Sequence, residues 1–268
     1  MQPVNPLIYV PVGLALSAAI GLLAYRRESL SRSGVLGAVL TGTLHFGFGG
    51  LTWGLTLIAF FISSTLLGKF RAHEKEPIAR QYAKGGQRDF GQTLANGGAG
   101  AALAVTFALH PTAWLFAAFV GATATVNADT WATELGPLSR RPPRLLTTGR
   151  VVPAGTSGGV TVLGTAAALA GAVLIGFVAW GLAALFGAGS VAAWVPLVAT
   201  IAGLGGALAD SVLGATLQAQ YQDATGAVTE RVGVTQVRGL RWMTNDAVNF
   251  LASLTGASIG ALLGGVFA

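Results

Sequence analysis

Four acidic residues interrupt or border apolar stretches of the sequence. Asp129 and Glu134 lie in the segment ATATVNADTWATELG, Asp210 follows IAGLGGALA, and Asp246 lies in TNDAVNF. A carboxylate within a transmembrane helix costs about 2.5 to 3.5 kcal/mol at mid-bilayer, and such residues are therefore usually functional. Each also has a structural explanation, because Glu134 can be a solvated helix end, Asp246 a helix cap, and the two deeper acids partners in helix packing.

The chemistry that these side chains favour is the binding of Mg²⁺ and phosphate. The sequence has no cysteine and only three scattered histidines, so a zinc site is not indicated. Mg²⁺ binds through a few carboxylates together with substrate oxygens, and phosphoryl transfer mainly requires positioning and charge neutralisation. We expect Asp129, Glu134, Asp210 and Asp246 to bind the metal, and the first three to be catalytic. Geometry then requires that acids from separate helices converge on one ion, with Asp129 close to Asp210.

A glycine-rich segment, VVPAGTSGGVT, precedes a long apolar run and is typical of an anion site. Thr156 and Ser157 are predicted to cap the following helix, so that the amides of Gly158 and Gly159 cradle a phosphate. An ordinary glycine-rich cap is the alternative, and the segment lacks the G-K-[ST] of a Walker A loop. The further residues that we predict to bind nucleotide or phosphate are Lys69, Arg88, Asn96, Arg144, Arg150, Ser211, Gly214, Gln218, Asn245 and Asn249.

The elements that must position these residues are transmembrane helices. Of the 268 residues, 53% are hydrophobic and 10% are charged, and the mean hydropathy is +0.65. Soluble domains carry about 25% charged residues, so an all-α, polytopic membrane bundle is indicated. The apolar runs are at about 6–25, 33–48, 51–68, 92–109, 112–134, 158–186, 191–219 and 245–267. They predict about 8 helices, with seven as the alternative if the second and third runs are not divided at Gly49–Gly50.

The basic residues predict the orientation of this single domain, which spans 1–268. All 16 Lys and Arg fall in the four connections after predicted helices 1, 3, 5 and 7. The positive-inside rule then makes the connections at about 69–91, 135–157 and 220–243 cytoplasmic, in a multi-pass protein of the inner cell membrane. This distribution also argues against nucleic acid as the partner of the net charge of +6. The 69–91 connection is expected to be partly helical, and the 220–243 connection to contain a short hairpin.

Several motifs extend over nearly the whole chain. These are ANGG at 95–98, NADTWATELG, PRLLTTGR, VPAGTSGGVTVLGT, ALADSVLGATLQAQY and NDAVNFLAS. In this order they resemble the integral-membrane family that includes plant and cyanobacterial phytyl-phosphate kinase, a transmembrane-protein-19-like family. The D-S-x-x-G pattern at Asp210–Gly214 is similar, more distantly, to CTP-using polyprenol and phytol kinases.

The resemblance implies a Mg²⁺-dependent phosphotransferase. It would transfer a phosphoryl group from a nucleoside triphosphate, with CTP favoured, to an isoprenyl monophosphate, as in the tocopherol pathway. Two other functions remain open at this point. A membrane lipid cytidylyltransferase would use the same site and release pyrophosphate, and an anion or lipid-phosphate transporter would also contain intramembrane carboxylates. The outer halves of the helices are apolar, which argues against the transporter. The sequence does not indicate the oligomeric state.

Overall fold

The computed structural model describes residues 4–79, 84–187, 192–222, 226, 228–231 and 235–267, and most of them are helical. The helices are α1 (Pro6–Arg26), α2 (Arg32–Lys69), α3 (Ala72–Ala79), α4 (Phe90–Leu109), α5 (Ala113–Leu135), α6 (Val162–Phe186), α7 (Val195–Thr216) and α8 (Asn245–Phe267). A 3₁₀ turn at Gly136–Leu138 follows α5. The predicted helical architecture is therefore confirmed.

The helices are those of a multi-pass membrane protein. Within the described residues, five helices are long and apolar enough to cross a membrane, namely α1, α2, α6, α7 and α8. Large apolar side chains such as Leu7, Leu185 and Val266 are strongly exposed on the outside of the bundle. Exposure of this kind is unfavourable in water but neutral in lipid, where apolar side chains contact acyl chains.

Helix α2 is broken in the middle and folds back on itself. Its 38 residues include Gly50, which has the non-helical angles φ 73° and ψ −163°. A straight helix of that length would measure about 57 Å, roughly twice the hydrocarbon thickness of a bilayer. Instead Lys69, at the end of α2, donates from Nζ to the carbonyl of Arg27, which lies just before its start. The two arms of α2 are thus antiparallel, and the break lies where the sequence predicted a division.

Helix α5 is the centre of the bundle. Every residue from Leu115 to Ala128 is buried, because α4, α6, α7 and α8 all pack around it. Small residues permit this close packing, which takes the place of a hydrophobic driving force between helices in lipid. Thr125 is the tightest point. A Cβ on Gly206 of α7 or on Gly256 of α8 would overlap its side chain.

The connections on one end of the bundle carry the remaining structure. Helix α3 lies in the 69–91 connection, as predicted. Strands β1 (Arg144–Leu145) and β2 (Gly159–Val160) pair antiparallel between α5 and α6. Between α7 and α8, β3 (Gln220–Gln222) pairs with both β4 (Val228–Thr229) and β5 (Thr235–Arg238). A three-stranded sheet therefore replaces the single hairpin that was expected there, as far as the described residues extend.

A cavity at the basic end of the bundle

A cavity of about 1540 Å³ opens at the end of the bundle where the basic connections meet. Its walls come from α2, α4, α5, α6, α7 and α8, together with α3 and the loops that follow α5 and α7. Of the residues predicted to act in the site, those that line it are Lys69, Arg88, Asn96, Asp129, Glu134, Thr156, Ser157, Gly158, Gly159, Asp210, Ser211, Gln218, Asn245, Asp246 and Asn249. The structure thus gathers most of the predicted residues around one space.

Asp129 and Asp210 enter the cavity at the same depth. Each lies six residues before the last residue of its helix, which corresponds to about 9 Å along the axis. The helices α5 and α7 run in the same direction and touch one turn earlier, where Gly206 packs on Thr125 and Thr125 Oγ1 contacts the carbonyl of Ala202 at 3.2 Å. Because residues four apart share a helix face, the next turn of each helix directs these two aspartates to the same region.

The two aspartates form an acidic centre with Glu230, from the loop after α7. The carboxylate of Asp210 interacts electrostatically with those of Asp129 and Glu230. Its Oδ2 atom is buried and lacks a hydrogen-bond partner among the described residues. A buried acceptor beside other carboxylates is unfavourable by itself, and a bound cation would relieve it. No group of three acidic, His or Cys side chains within the described residues is arranged as a complete metal site.

Glu134 is bound to a lysine of α3. Lys75 is buried and contacts the Glu134 carboxylate, and it also donates to the carbonyls of Leu67 at 2.7 Å and Gly68 at 3.0 Å. Those carbonyls belong to the last turn of α2, where a cation is favoured by the helix dipole. The lysine therefore joins the ends of α2, α3 and α5, and it neutralises a carboxylate that was predicted to bind metal.

Asp246 is likewise bound to a lysine. Lys84 contacts Asp246 at the start of α8 and Asp89 at the start of α4, the latter at 2.8 Å. Asp89 also forms a capping box with Gln92. Burial alone would lower the pKa of Lys84, but its hydrogen bonds to Asp246 and Asp89 outweigh this effect and raise the pKa. Burial alone would raise the pKa of Asp89, yet the bonds from Lys84 and the capped backbone lower it.

Arg88 is held in place at the cavity by both its backbone and its side chain. Its backbone pairs with that of residues 29–31, and its guanidinium donates to Thr65 Oγ1 at 3.2 Å. The guanidinium also lies 5.9 Å from the ring centre of Phe60 and 5.6 Å from that of Phe61. Burial lowers the pKa of Arg88, and the Glu134 carboxylate opposes that shift. These contacts leave a fixed, planar donor beside the cavity, which suits recognition of a phosphate.

The glycine-rich segment does not have the predicted geometry. Helix α6 begins at Val162, and its cap is Thr161, whose side chain accepts from the amide of Gly164. The capping role predicted for Thr156 and Ser157 is therefore wrong, since the chain between them and the helix forms β2. The amide of Gly159 is already bonded to the carbonyl of Thr156, at 3.0 Å. The segment borders the cavity as a turn followed by a strand.

The turn is held against α7 and the following loop. Gly158 has φ +80° and lies so close to Ser211 and Ala215 that a side chain would not fit. Ser157 donates to Glu230 at 2.9 Å, and Gln218 donates to the same carboxylate at 2.7 Å. The 155–159 segment and the end of α7 are therefore joined through Glu230 at the cavity wall.

Of the remaining predicted residues, some line the cavity and others lie outside its lining. Two of them, Arg144 and Arg150, are exposed and lie outside the cavity lining. They belong to β1 and the turn that follows it, where the Arg144 side chain donates a hydrogen bond to the carbonyl of Gly149. Gly214 also lies outside the lining, and its carbonyl accepts from Arg238 at 3.0 Å. The amides Asn96, Asn245 and Asn249 line the cavity from α4 and α8.

Sequence reasoning missed four residues that organise the site: Lys75, Lys84, Thr125 and Glu230. The two lysines lie in a connection of mixed charge, where nothing in the sequence distinguishes them from solvated residues, and Glu230 lies in a polar loop. Thr125 gave the clearest available signal, since it is four residues before Asp129, as Gly206 is four residues before Asp210.

Comparisons with known proteins agree with the membrane architecture. The profile of the family described as integral membrane protein DUF92 matches residues 15–257, which extend from α1 into α8. The chain belongs to this family. It is 34% identical to Protein PGR of Arabidopsis thaliana, over 93% of this chain and 94% of that protein. It is 30% identical to an uncharacterized membrane protein of Methanocaldococcus jannaschii, over 98% of each chain.

A more distant relative is Protein VTE6, chloroplastic, of Arabidopsis thaliana. It is 27% identical, over 87% of this chain and 65% of that protein. No solved structure is detectably similar to the chain. The similarity to these relatives thus agrees with the assignment of the chain to this integral-membrane family.

Proposed function

We propose that the protein is a membrane-embedded kinase of isoprenyl monophosphates. It would transfer the γ-phosphoryl group of a nucleoside triphosphate, with CTP favoured, to a phytyl-like monophosphate and release the diphosphate. The observation that carries the proposal is the meeting of Asp129 and Asp210 in a large cavity bordered by fixed cations. The resemblance of the sequence motifs to a family that includes phytyl-phosphate kinase supports the same chemistry.

The donor set fits one Mg²⁺ ion shared with phosphate oxygens. Asp129 and Asp210 would bind it, because Oδ2 of Asp210 has no hydrogen-bond partner among the described residues. Mg²⁺ commonly uses one or two carboxylates plus substrate phosphates, so a complete protein cage is unnecessary. When bound, the ion would neutralise the charge that develops on the transferred group. Glu134 and Asp246, whose carboxylates are bound to lysines, would instead position Lys75 and Lys84 near the triphosphate.

The acceptor phosphate would lie against Arg88. Its anionic oxygen is already a nucleophile, so no catalytic base is required. That oxygen would attack the γ-phosphorus, the bond from the γ-phosphorus to the bridging oxygen would break, and its electrons would leave with the nucleoside diphosphate. Arg88 would hold the acceptor in line, and the amides of Asn96 and Asn249 would add neutral donors at the same wall.

We also propose that the chain crosses the inner cell membrane eight times, with the cavity facing the cytoplasm. The arms of α2 would each be one span, and α4 and α5, of 20 and 23 residues, would be two more. The basic connections all lie at the cavity end, as the positive-inside rule requires of a cytoplasmic face. A cytoplasmic site would also have access to nucleoside triphosphates.

The direct test is turnover by the purified protein in lipid nanodiscs. The reactions contain Mg²⁺, one of four nucleoside triphosphates, and phytyl or geranylgeranyl monophosphate. Mass spectrometry should detect the prenyl diphosphate and a nucleoside diphosphate. Failure to form the diphosphate with any nucleotide would refute the kinase, and release of pyrophosphate with a nucleotidyl lipid would indicate a cytidylyltransferase instead.

The acidic centre has its own test. Asp129→Asn and Asp210→Asn should each lower turnover by about 10²-fold or more while the protein remains folded, because the metal loses one of its two carboxylates. Glu74→Gln is the control, since Glu74 is exposed, pairs with Arg71 and lies outside the cavity lining. Wild-type turnover in either aspartate variant would remove that residue from the mechanism.

A further inference from the structure

A second, smaller space lies among the membrane-embedded parts of the N-terminal helices. It has a volume of about 80 Å³ and is bounded by α1, both arms of α2, and α4. Its walls are almost entirely apolar, with Leu57, Phe60 and Phe61 from the second arm of α2 facing Ile20 and Gly21 of α1. We name this space the apolar groove.

The apolar groove lies next to the large cavity, and the two spaces share part of their walls. Arg88, Gln92 and Asn96 line both spaces, and they are the only strongly polar long side chains at the groove among the residues described. Apolar side chains, a guanidinium and two amides therefore border the same small space. Arg88 itself spans this boundary, because Phe60 and Phe61 lie beside its guanidinium and also line the groove.

This arrangement matches a molecule with an anionic head and an apolar chain. We infer that the apolar groove receives the hydrocarbon chain of the lipid phosphate, with its phosphate at Arg88 and the reacting oxygen in the large cavity. The inference rests on the proposed function for the identity of the lipid. A water-soluble anion would leave the groove unused, and a neutral lipid would not use the charge and the planar donor geometry of Arg88.

The volume determines how much of the chain the protein encloses. A cavity of about 150 Å³ accepts benzene, so a space of about 80 Å³ holds only about three carbons, the beginning of the first branched unit. Ile20, Ile58 and Phe61 are only partly buried, so the rest of the chain can continue between them into the bilayer. The protein should therefore select the first unit and tolerate variation in total chain length.

A substitution that fills the groove tests this assignment kinetically. Ala38→Leu adds three carbons at a half-buried position of α2 that lines the groove and lies outside the large cavity. Its matched control is Ala59→Leu, also half-buried on α2 and outside both linings. For geranylgeranyl monophosphate, Ala38→Leu should lower kcat/KM at least tenfold relative to Ala59→Leu, with the effect mainly in KM.

A series of acceptors separates recognition of the first unit from recognition of the whole chain. The wild-type protein should use branched monophosphates of ten, fifteen and twenty carbons with kcat/KM values within about threefold. A linear twenty-carbon alkyl monophosphate should be at least tenfold poorer, because its first carbons lack the branch that fills the groove. A steep dependence on chain length, or no preference for the branched chain, would overturn the assignment.

Photolabelling distinguishes failure of the groove from failure of the kinase. A geranylgeranyl monophosphate analogue with a diazirine on its first isoprene unit should label Ile58 or Phe61 in nanodiscs, and excess unlabelled phytyl monophosphate should displace it. Displaceable labelling there without diphosphate formation would support the groove and refute the kinase. Diphosphate formation with labelling elsewhere, or labelling that phytyl monophosphate does not displace, would overturn the groove. This measurement does not depend on the folding of any variant.

Discussion

The packing of Gly206 on Thr125 should control the distance between Asp129 and Asp210. In Gly206→Ala the new Cβ would lie 2.8 Å from Thr125 Cβ, and it would overlap Oγ1 and Cγ2 of the same residue. Rotation of the Thr125 side chain can remove the contacts with Oγ1 and Cγ2. It cannot remove the contact with Cβ, because the backbone fixes the position of that atom. Ordinary contact begins at 3.4 Å, so the helices must separate by about 0.6 Å or more.

This displacement acts one turn from Asp129 and Asp210, and a misplacement of about 1 Å can cost about 10²-fold in rate. We expect Gly206→Ala to lower turnover by about 10- to 10²-fold. Overpacking should also destabilise the fold by about 1 to 3 kcal/mol. Turnover in nanodiscs and thermal unfolding in detergent measure the two effects. Thr125→Gly in the same chain removes the contacting Cβ and should recover part of the turnover.

The adjacent Gly205 is the matched control. A Cβ on Gly205 would meet only Cδ1 of Ile259, at 2.8 Å, and the end of that flexible side chain can move. Gly205→Ala should therefore stay within about twofold of the wild-type rate. Equal effects of the two substitutions would refute the argument, because both variants make the same chemical change on the same helix. A fully active Gly206→Ala would show that the separation of the helices does not limit the chemistry.

Three further outcomes are expected. Lys75→Met should destabilise the protein by about 1 to 3 kcal/mol in detergent unfolding, since the half-buried Glu134 carboxylate loses its lysine. Lys75→Met/Glu134→Gln should recover part of that loss, and equal stability of the single and double variants would contradict this. Arg88→Lys keeps the charge but loses the planar fork, so KM for the acceptor should rise about tenfold, and an unchanged KM would remove Arg88 from the acceptor site. The lowered pKa of Asp89 contributes stability that is present above its ordinary value of 3.8 and is lost as the pH falls below it. The melting temperature of Asp89→Asn should therefore fall less steeply with acidification than that of the wild type. Equal slopes for the two proteins would contradict the pairing of Asp89 with Lys84.

The sequence indicated Asp129 and Asp210, two of the three members of the acidic centre, because charge in an apolar run is a strong signal. Asp129 and Asp210 follow long uncharged segments, and the cost of burying a charge in lipid makes chance placement unfavourable. The break of α2 near Gly50 was predictable from the length of the second and third apolar runs, since one continuous helix formed by both would be too long for the bilayer. The gathering of the basic connections at one end followed from the spacing of Lys and Arg.

Features that depend on tertiary contacts could not be predicted in the same way. Thr156, Ser157 and Thr161 are all good caps by residue type, and only the pairing of β2 with β1 determines that Thr161 begins α6. The partners of Glu134 and Asp246 come from a connection whose lysines have no periodicity. Sequence patterns therefore located the carboxylates, but they did not indicate which of them a lysine would neutralise.

The four predicted carboxylates form two groups, according to whether a lysine neutralises them. Glu134 and Asp246 each contact a lysine from the 69–91 connection, so each pair is close to neutral and joins that connection to a helix end. Asp129 and Asp210 lie deeper and have each other, with Glu230, as electrostatic neighbours. Like charges in a region of low dielectric repel strongly, so folding alone would favour replacing one of them by a neutral residue. Their presence beside a large cavity fits the proposed divalent cation, which would offset their mutual repulsion. The two lysine pairs leave the rim without excess negative charge, where the phosphates of a nucleotide would enter.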